Sequence, residues 1–194
     1  VFGGIDMFIA NAGILKAGSL EKMEEASFDT VNAVNYKGFF LCTKAVTKWM
    51  KIQHKYNSKH FMDIVQINSK SGLEGSFRNF AYAGSKFGCI GLVQSFAAEL
   101  LSHNIKVNAV CPGNYFEGSL WADPNKGLLV QYLKAGKVPG AKTIEDVKAY
   151  YLSRIPMGRG CVPRDVALAI KYLYEQQYET GQALPVTGGQ VMLH

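Results

Sequence analysis

The amino-acid sequence predicts an α/β fold of the three-layer, Rossmann-like kind, built on a doubly wound and mostly parallel sheet. Short apolar runs alternate along the chain with longer segments of helical period, which is the pattern of β-α-β units. Turns that contain glycine, serine and proline separate these segments. A chain of 194 residues also has the size of one domain. We therefore expect residues 1–194 to form a single domain.

Four short apolar runs predict strands, and three longer segments predict helices. The predicted strands are residues 5–10, 61–67, 105–111 and 183–186, and the predicted helices are residues 27–51, 80–101 and 165–174. The third strand should end before Pro112, because proline cannot donate a hydrogen bond to a β-ladder. The helix over residues 80–101 carries apolar side chains on more than one face, so we expect it to be buried on two sides.

A long irregular stretch rich in glycine and proline is predicted at about residues 112–145. Loops longer than about 15 residues in a compact domain are usually functional lids or disordered segments. We predict a substrate lid that covers a site beyond the C-terminal ends of the strands. The aromatic residues Tyr115, Phe116 and Trp121 in this stretch fit two roles equally: walls of a sugar pocket, or anchors that pack the lid onto the core.

Composition and charge argue against several functions. The chain has 21 Lys and Arg against 15 Asp and Glu, a net charge of +6, but the basic residues are scattered, so no nucleic-acid partner is expected. No apolar stretch approaches the run of about 20 residues that a membrane span needs. The first residues do not resemble a secretory signal. The four histidines lack metal-ligand spacing, so no metal is predicted.

The cysteines indicate a reducing, cytoplasmic setting. They are widely spaced and form no Cys-x-x-Cys pair: Cys42, Cys89, Cys111 and Cys161. Cys89 and Cys111 lie in apolar segments, where free cysteine commonly packs as a small hydrophobic residue. We predict that both belong to the core.

Tyr82 and Lys86 are the first candidates for catalysis. They are four residues apart on a predicted helix and therefore share one face, where the ammonium would favour the phenolate. The pair alone is weak evidence, because a packed tyrosine beside a solvated lysine gives the same pattern. Ser69 follows the strand predicted at residues 61–67 and places a hydroxyl at the same sheet edge. A hydroxyl and a phenol there can donate together to a carbonyl oxygen on which charge develops.

An ordered set of motifs resembles the short-chain dehydrogenase/reductase family over nearly the whole chain. The motifs are Asn11-Ala12-Gly13, Asn35 in Val-Asn-Tyr-Lys-Gly-Phe-Phe, Ser69, Tyr82-x-x-x-Lys86, the run from Val107 to Gly113, and Thr180-Gly181-Gln182 before Gly188-Gly189. Each motif is weak when taken alone. Their occurrence in the family's order is what identifies the resemblance.

The resemblance implies a catalytic tetrad of Asn35, Ser69, Tyr82 and Lys86. Tyr82 would be the acid/base, Ser69 would orient the carbonyl or hydroxyl, and Lys86 would favour the ionised phenol and bind the nicotinamide ribose. Asn35 would hold a water in a proton relay, or else serve only as a polar residue that bends or caps its helix. The cofactor-binding residues implied by the family are Asn11, Ala12, Gly13, Tyr82, Lys86, Pro112, Gly113 and Tyr115.

The sequence departs from the family pattern in several places. Family members begin with a strand, a glycine-rich turn and a helix that bind the pyrophosphate, and none of these precedes Val1. We therefore expect only the C-terminal portion of the fold, with NAD as cofactor and NADP not excluded. A cofactor-free fragment that acts only as a self-associating scaffold is the alternative. Glu117 stands where many members have a threonine, and Asn68 replaces a common serine.

The lid region and the segment from Pro156 to Cys161 resemble the sorbitol-6-phosphate 2-dehydrogenase branch of the family. This resemblance implies the NAD-dependent interconversion of sorbitol 6-phosphate and fructose 6-phosphate. Ammonium groups of the lid fit a phosphate, but each of them equally fits a solvated surface. The lysines in question are Lys126, Lys134, Lys137 and Lys142.

Two surfaces of the predicted fold should be covered. In the family the two long helices, here residues 27–51 and 80–101, pack against the same pair of another subunit, which implies a homodimer or homotetramer. The strand at residues 5–10 would present an apolar sheet edge, a feature that folded proteins normally cover. We expect another chain or further protein to lie against that edge.

Overall fold

The structure is a computed structural model that describes residues 3–192, and it contains a four-stranded, fully parallel sheet. The strands are β1 (Met7–Ala10), β2 (Met62–Ile67), β3 (Ile105–Pro112) and β4 (Ala183–Val186), in the order β1-β2-β3-β4. All three neighbouring pairs run parallel. The predicted α/β fold is confirmed, and each strand lies within a residue or two of its predicted bounds.

The end of β3 differs from the prediction. The strand was expected to end before Pro112, whereas Pro112 is its last residue. Pro112 pairs with Val186. The missing proline donor costs nothing at this position, since the Gly113 amide donates to the Val186 carbonyl at 2.9 Å.

Seven α-helices and one π-helical turn are present in residues 3–192. The helices are α1 (Glu25–Asn32), α2 (Gly38–Tyr56), α3 (Phe80–Leu100), α4 (Ser119–Ala122), α5 (Leu128–Lys134), α6 (Ile144–Ser153) and α7 (Pro163–Glu175). The π-helical turn, Ala33–Lys37, separates α1 from α2. The helix predicted over residues 27–51 is present as one uninterrupted helical run over residues 25–56, in which the π turn was not foreseen, and α3 and α7 match their predicted positions closely.

Two apolar layers enclose the sheet. On one face α2 and α3 cover side chains such as Ile64 and Val107, and on the other face α7 covers Val65 and Val110. Successive strand residues point to opposite faces, so this alternation follows from the strand period of two. Cys89 and Cys111 are fully buried in the first layer, as predicted. Burial raises the pKa of Cys89 to about 11 and that of Cys111 to about 12.

The lid contains two short helices, α4 and α5, and leads into α6, so the expectation of a wholly irregular stretch was wrong in part. Helices α4, α5 and α6 pack through an aromatic cluster in which Trp121 makes edge contacts with Phe116, Tyr132 and Tyr151 at centroid distances of 5.1, 5.7 and 5.7 Å. Such edge-to-face contacts add to the burial of large aromatic surfaces. This cluster stabilises helices that would be too short to persist alone.

The sheet edge formed by β1 is open in the part of the chain that the structure describes. There β1 pairs only with β2, and Ile9 is 42% exposed. The expectation that another segment or chain covers this edge stays a prediction. Within residues 3–192, no helix combines the length and the hydrophobicity that crossing a lipid bilayer requires.

Candidate active site

A cavity of about 680 Å³ opens where the strands end, between the sheet and the lid. Asn11 and Gly13 follow β1, Ser69 follows β2, and Pro112 ends β3, and all four line the cavity. The carboxyl ends of parallel strands meet at one edge of a sheet, which is where α/β proteins bind ligands. The lid closes the other side with Tyr115, Trp121, Tyr132 and Tyr151, among others. The aromatic lid residues therefore both wall the cavity and anchor the lid.

Tyr82, Lys86 and Ser69 line this cavity together. Lys86 is 3% exposed, and its Nζ donates to the Ile67 carbonyl at 2.8 Å, which leaves two of its three N–H groups for other partners. The same Nζ lies 5.6 Å from the centre of the Tyr82 ring. The Ser69 Oγ accepts from the Ser71 amide at 3.1 Å, so its own O–H remains available to donate.

Asn35 occupies the centre of the π-helical turn and holds the segment after β1. Its Oδ1 accepts from the Ile14 amide at 2.8 Å, and its Nδ2 donates to the Ile14 carbonyl at 2.9 Å and to Ser85 Oγ at 3.0 Å. The side chain is therefore fully engaged in positioning. Single π turns of this kind are frequent at functional sites. A role for Asn35 in a water relay stays a prediction.

Gly13 leaves open the space between Asn35 and Lys86. A Cβ added to Gly13 would lie 3.6 Å from Asn35 Oδ1 and 3.6 Å from Lys86 Nζ. Any side chain larger than a methyl group would therefore fill the cavity in front of the lysine. Glycine at this position keeps Lys86 accessible from the cavity. Its φ is not positive, so the backbone conformation does not itself require glycine.

The sequence reasoning treated Asn68 as a minor departure from the family, whereas the structure places it between two catalytic candidates. The buried Asn68 Oδ1 accepts from the Ser69 amide at 2.8 Å, and its Nδ2 donates to the Lys86 carbonyl at 3.0 Å. One side chain thus ties the end of β2 to α3. Nothing in the sequence pattern signals this bridge, because the partners are backbone atoms.

The stretch after Pro112 contributes Gly113, Asn114 and Tyr115 to the cavity. Asn114 is 4% exposed, and within the described residues its side-chain Nδ2 has no hydrogen-bond partner. Buried polar atoms are rarely left unpaired, so this amide is suited to a ligand oxygen. The sequence reasoning did not single out Asn114, although its position next to Pro112-Gly113 was the available signal.

Several residues singled out from the sequence lie outside the cavity lining, among them Asn35 and Phe116, which are buried. Ala12 is exposed and does not line the cavity, although its neighbours Asn11 and Gly13 do. Glu117 is also exposed and does not line the cavity, which separates it from the position expected of the family's threonine.

Of the four lid lysines, only Lys137 reaches the cavity, and Lys126, Lys134 and Lys142 are exposed to solvent away from it. The Lys137 Nζ donates to Ser76 Oγ at 3.0 Å and lies 4.2 Å from the centre of the Tyr132 ring. Burial, and secondly the charge of Lys70, lowers the pKa of Lys137 to about 8.

Positive charge dominates the cavity. Its lining contains Lys70, Lys86 and Lys137, and no Asp or Glu among the residues that the structure describes. Such a surface favours anionic ligands, because like-signed charges in a partly dry cleft reinforce one another.

Comparison with known proteins agrees with this geometry. A family model described as short chain dehydrogenase matches residues 1–121. The chain is 36% identical to sorbitol-6-phosphate 2-dehydrogenase of Escherichia coli (strain K12), over 99% of this chain and 70% of that protein. It is 35% identical to 3-oxoacyl-[acyl-carrier-protein] reductase FabG of Thermotoga maritima, over 98% of this chain and 68% of that protein.

A solved structure gives the same result for the fold. The crystal structure of sorbitol-6-phosphate 2-dehydrogenase SrlD from Erwinia amylovora superposes with a TM-score of 0.86 at 36% identity, over 99% of this chain and 71% of that chain. Fold and site together define an oxidoreductase that works with a nicotinamide cofactor. The chain belongs to the short-chain dehydrogenase/reductase family.

Proposed function

We propose that this protein interconverts a secondary alcohol and a ketone with NAD, and that its substrates are sorbitol 6-phosphate and fructose 6-phosphate. The observation that carries the proposal is the convergence of Tyr82, Ser69 and Lys86 in one cavity at the ends of the strands. NADP is not excluded as the cofactor.

The cavity fits a nicotinamide nucleotide in two respects. Gly13 keeps the front of Lys86 free, and two N–H groups of the Lys86 ammonium are available for the hydroxyls of a ribose. The unpaired amide of Asn114, just beyond β3, is suited to a carbonyl oxygen such as that of the carboxamide. When bound, the nicotinamide supplies or accepts the hydride.

The protein's own groups handle the proton and the developing charge. In the direction of reduction, the Tyr82 O–H bond breaks and its proton moves to the carbonyl oxygen as the new C–H bond forms. Ser69 Oγ donates a hydrogen bond to the same oxygen and so stabilises the charge that builds on it. Lys86 stabilises the phenolate that Tyr82 becomes, and the phenolate then regains a proton from solvent. Oxidation follows the same steps in reverse.

A phosphorylated substrate is supported by two independent observations. Similar proteins from two bacteria are named sorbitol-6-phosphate 2-dehydrogenase. The cavity carries three lysines and, among the described residues, no carboxylate. Because other relatives are named reductases of 3-oxoacyl groups, the substrate is the part of the proposal that most needs a direct test.

The test of the proposal is the oxidation of NADH in the presence of fructose 6-phosphate, followed at 340 nm. The Tyr82→Phe variant should lower kcat by about 10²–10⁴, the usual contribution of a positioned acid/base, with NADH affinity nearly unchanged. The matched control is Tyr178→Phe, because Tyr178 is 100% exposed and far from the site. Full turnover by Tyr82→Phe would reject the mechanism, and a failure to bind NADH would favour the scaffold alternative.

Self-association through the long helices is part of the proposal. Large apolar side chains of α2 and α3 are exposed, including Leu41 at 48%, Trp49 at 64% and Phe87 at 47%. Apolar patches of this kind mark interfaces, so a homodimer or homotetramer is expected. A monomeric mass by light scattering at micromolar concentration would contradict it. A reducing, cytoplasmic setting is consistent with the two buried thiols, Cys89 and Cys111.

A further inference from the structure

Lys137 lies at the lid side of the cavity, and none of the carboxylates in residues 3–192 forms an ion pair with it. Its Nζ contacts are Ser76 Oγ at 3.0 Å and the face of the Tyr132 ring at 4.2 Å. A partly buried ammonium normally pairs with an acidic side chain, because burial penalises an isolated charge. The contacts of Lys137 therefore leave its charge uncompensated.

A second lysine reinforces the positive charge at this place. Lys70, in the turn after Ser69, lines the same cavity, and after burial its charge is the second cause that lowers the pKa of Lys137. Glu74 neutralises Lys70 in part, through a contact of 2.8 Å between Nζ and Oε1. Two like charges held near one another are relieved when a dianion binds between them.

Lys137 lines the same cavity as Tyr82 and Ser69, on its lid side. Tyr82 packs against the same aromatic cluster that contains Tyr132, and Lys137 lies over the ring of Tyr132. Tyr132 therefore belongs to the cluster against which Tyr82 packs and also contacts the ammonium of Lys137. A ketose whose second carbon meets Tyr82 and Ser69 would extend its sixth carbon along the lid toward Lys137.

We infer that Lys137, together with Ser76 and Lys70, forms the phosphate subsite of this cavity and selects phosphorylated over unphosphorylated polyols and ketoses. The inference rests on the function proposed above, and it assigns the preference for phosphorylated substrates to the side of the lid that carries Lys137. The ammonium of Lys137 and the hydroxyl of Ser76 donate hydrogen bonds to phosphate oxygens, and Lys70 adds charge from the facing turn. The lowered pKa of Lys137 agrees with a group that gains stability when an anion arrives.

The experiment compares Lys137→Met with the wild-type protein on two ketoses, fructose 6-phosphate and fructose. Methionine keeps most of the aliphatic length and removes the charge. For the phosphorylated ketose we expect a loss in kcat/KM of tenfold or more, carried by KM, because hydrogen bonds to charged groups contribute about 1.5–3 kcal/mol. The kcat/KM for fructose should not change. Lys142→Met is the matched control, because Lys142 is an exposed lid lysine outside the cavity.

Binding of inorganic phosphate, measured by calorimetry, separates the inference from the proposed function. If the wild-type protein turns over neither ketose but binds phosphate, and Lys137→Met abolishes that binding, the proposed substrate is wrong and the subsite stands. If Lys137→Met binds phosphate as tightly as the wild type, or loses activity on both ketoses alike, the assignment of Lys137 is overturned. Lys142→Met should match the wild type in both measurements.

Discussion

The ion pair between Lys106 and Asp63 should be the most sensitive point of the sheet. The two residues face each other in register on β3 and β2, with 3.0 Å between Nζ and Oδ1, and their side chains are 1% and 2% exposed. Lys106 Nζ also donates to the carbonyls of Leu173 and Gln176, at 2.6 and 2.7 Å. One ammonium therefore joins two strands and holds the C-terminal end of α7.

Replacing Lys106 with methionine keeps the bulk of the side chain but leaves a buried carboxylate without its counter-charge and two carbonyls without their donor. Breaking a buried pair from one side typically costs about 3–5 kcal/mol of unfolding free energy. Removing the charge of the partner as well, in Asp63→Asn with Lys106→Met, should recover part of this loss. The remainder reflects the two carbonyls, which cost about 1 kcal/mol each as lost hydrogen bonds.

The single variant should also depend on pH more steeply than the wild type. Burial raises the pKa of Asp63, an effect that Lys106 opposes, so the pKa rises further when the ammonium is removed. The folded state then holds a proton that the unfolded state releases, and the stability of Lys106→Met falls as pH rises above the ordinary Asp value of about 3.9. The double variant should lack this slope.

Urea unfolding followed by circular dichroism at pH 5 and pH 8 measures all three forms. A loss below about 1 kcal/mol in Lys106→Met would refute the reasoning, given the cost expected for a broken buried pair. Equal instability of the single and double variants would show that the carbonyl contacts, rather than the buried charge, dominate.

Two further predictions concern the active site. Asn68→Ala should lower kcat while leaving NADH affinity nearly unchanged, because the Ser69 amide and the Lys86 carbonyl lose their shared hydrogen-bond partner. Each buried group left without a partner costs about 1–3 kcal/mol. An unaltered kcat in steady-state kinetics would contradict this prediction. The preference for phosphorylated substrate, taken as the ratio of kcat/KM for fructose 6-phosphate to that for fructose, should fall as pH rises through about 8, where Lys137 loses its charge. The ratio removes any pH dependence common to both ketoses. Lys70 and Tyr132 also face Lys137, and burial raises the pKa of Tyr132 well above its ordinary value, so Tyr132 stays neutral over this range. A ratio that stays flat between pH 7 and pH 9 would count against the subsite.

The strands and the catalytic candidates were predictable because they depend on local signals. A buried parallel strand is a short apolar run bounded by turns, and such runs give β2, β3 and β4 almost to the residue. Tyr82 and Lys86 share a helix face by spacing alone, and Ser69 follows a strand whose end was visible. Their meeting in one cavity then follows from parallel topology.

The remaining features depend on contacts between distant residues. Glycine and proline in the lid suggested an irregular chain, whereas α4, α5 and α6 are stabilised by aromatic packing around Trp121. Four lid lysines looked alike in sequence, and only the fold shows that Lys137 points into the cavity. The bridge made by Asn68 joins backbone atoms of β2 and α3, which no residue pattern reveals.

The π-helical turn Ala33–Lys37 sets the rotation of α2 about the helix axis relative to α1. Each residue of an α-helix advances by about 100° around the axis, so one added or removed residue rotates everything beyond it by that amount. Because the π turn takes up one residue more than an α turn, deleting one residue there should give a regular helix and keep Val46 and Met50 in the core, whereas a deletion in the first two turns of α2 would rotate both away from it. A one-residue deletion should therefore be tolerated within this turn better than in the α-helices on either side of it.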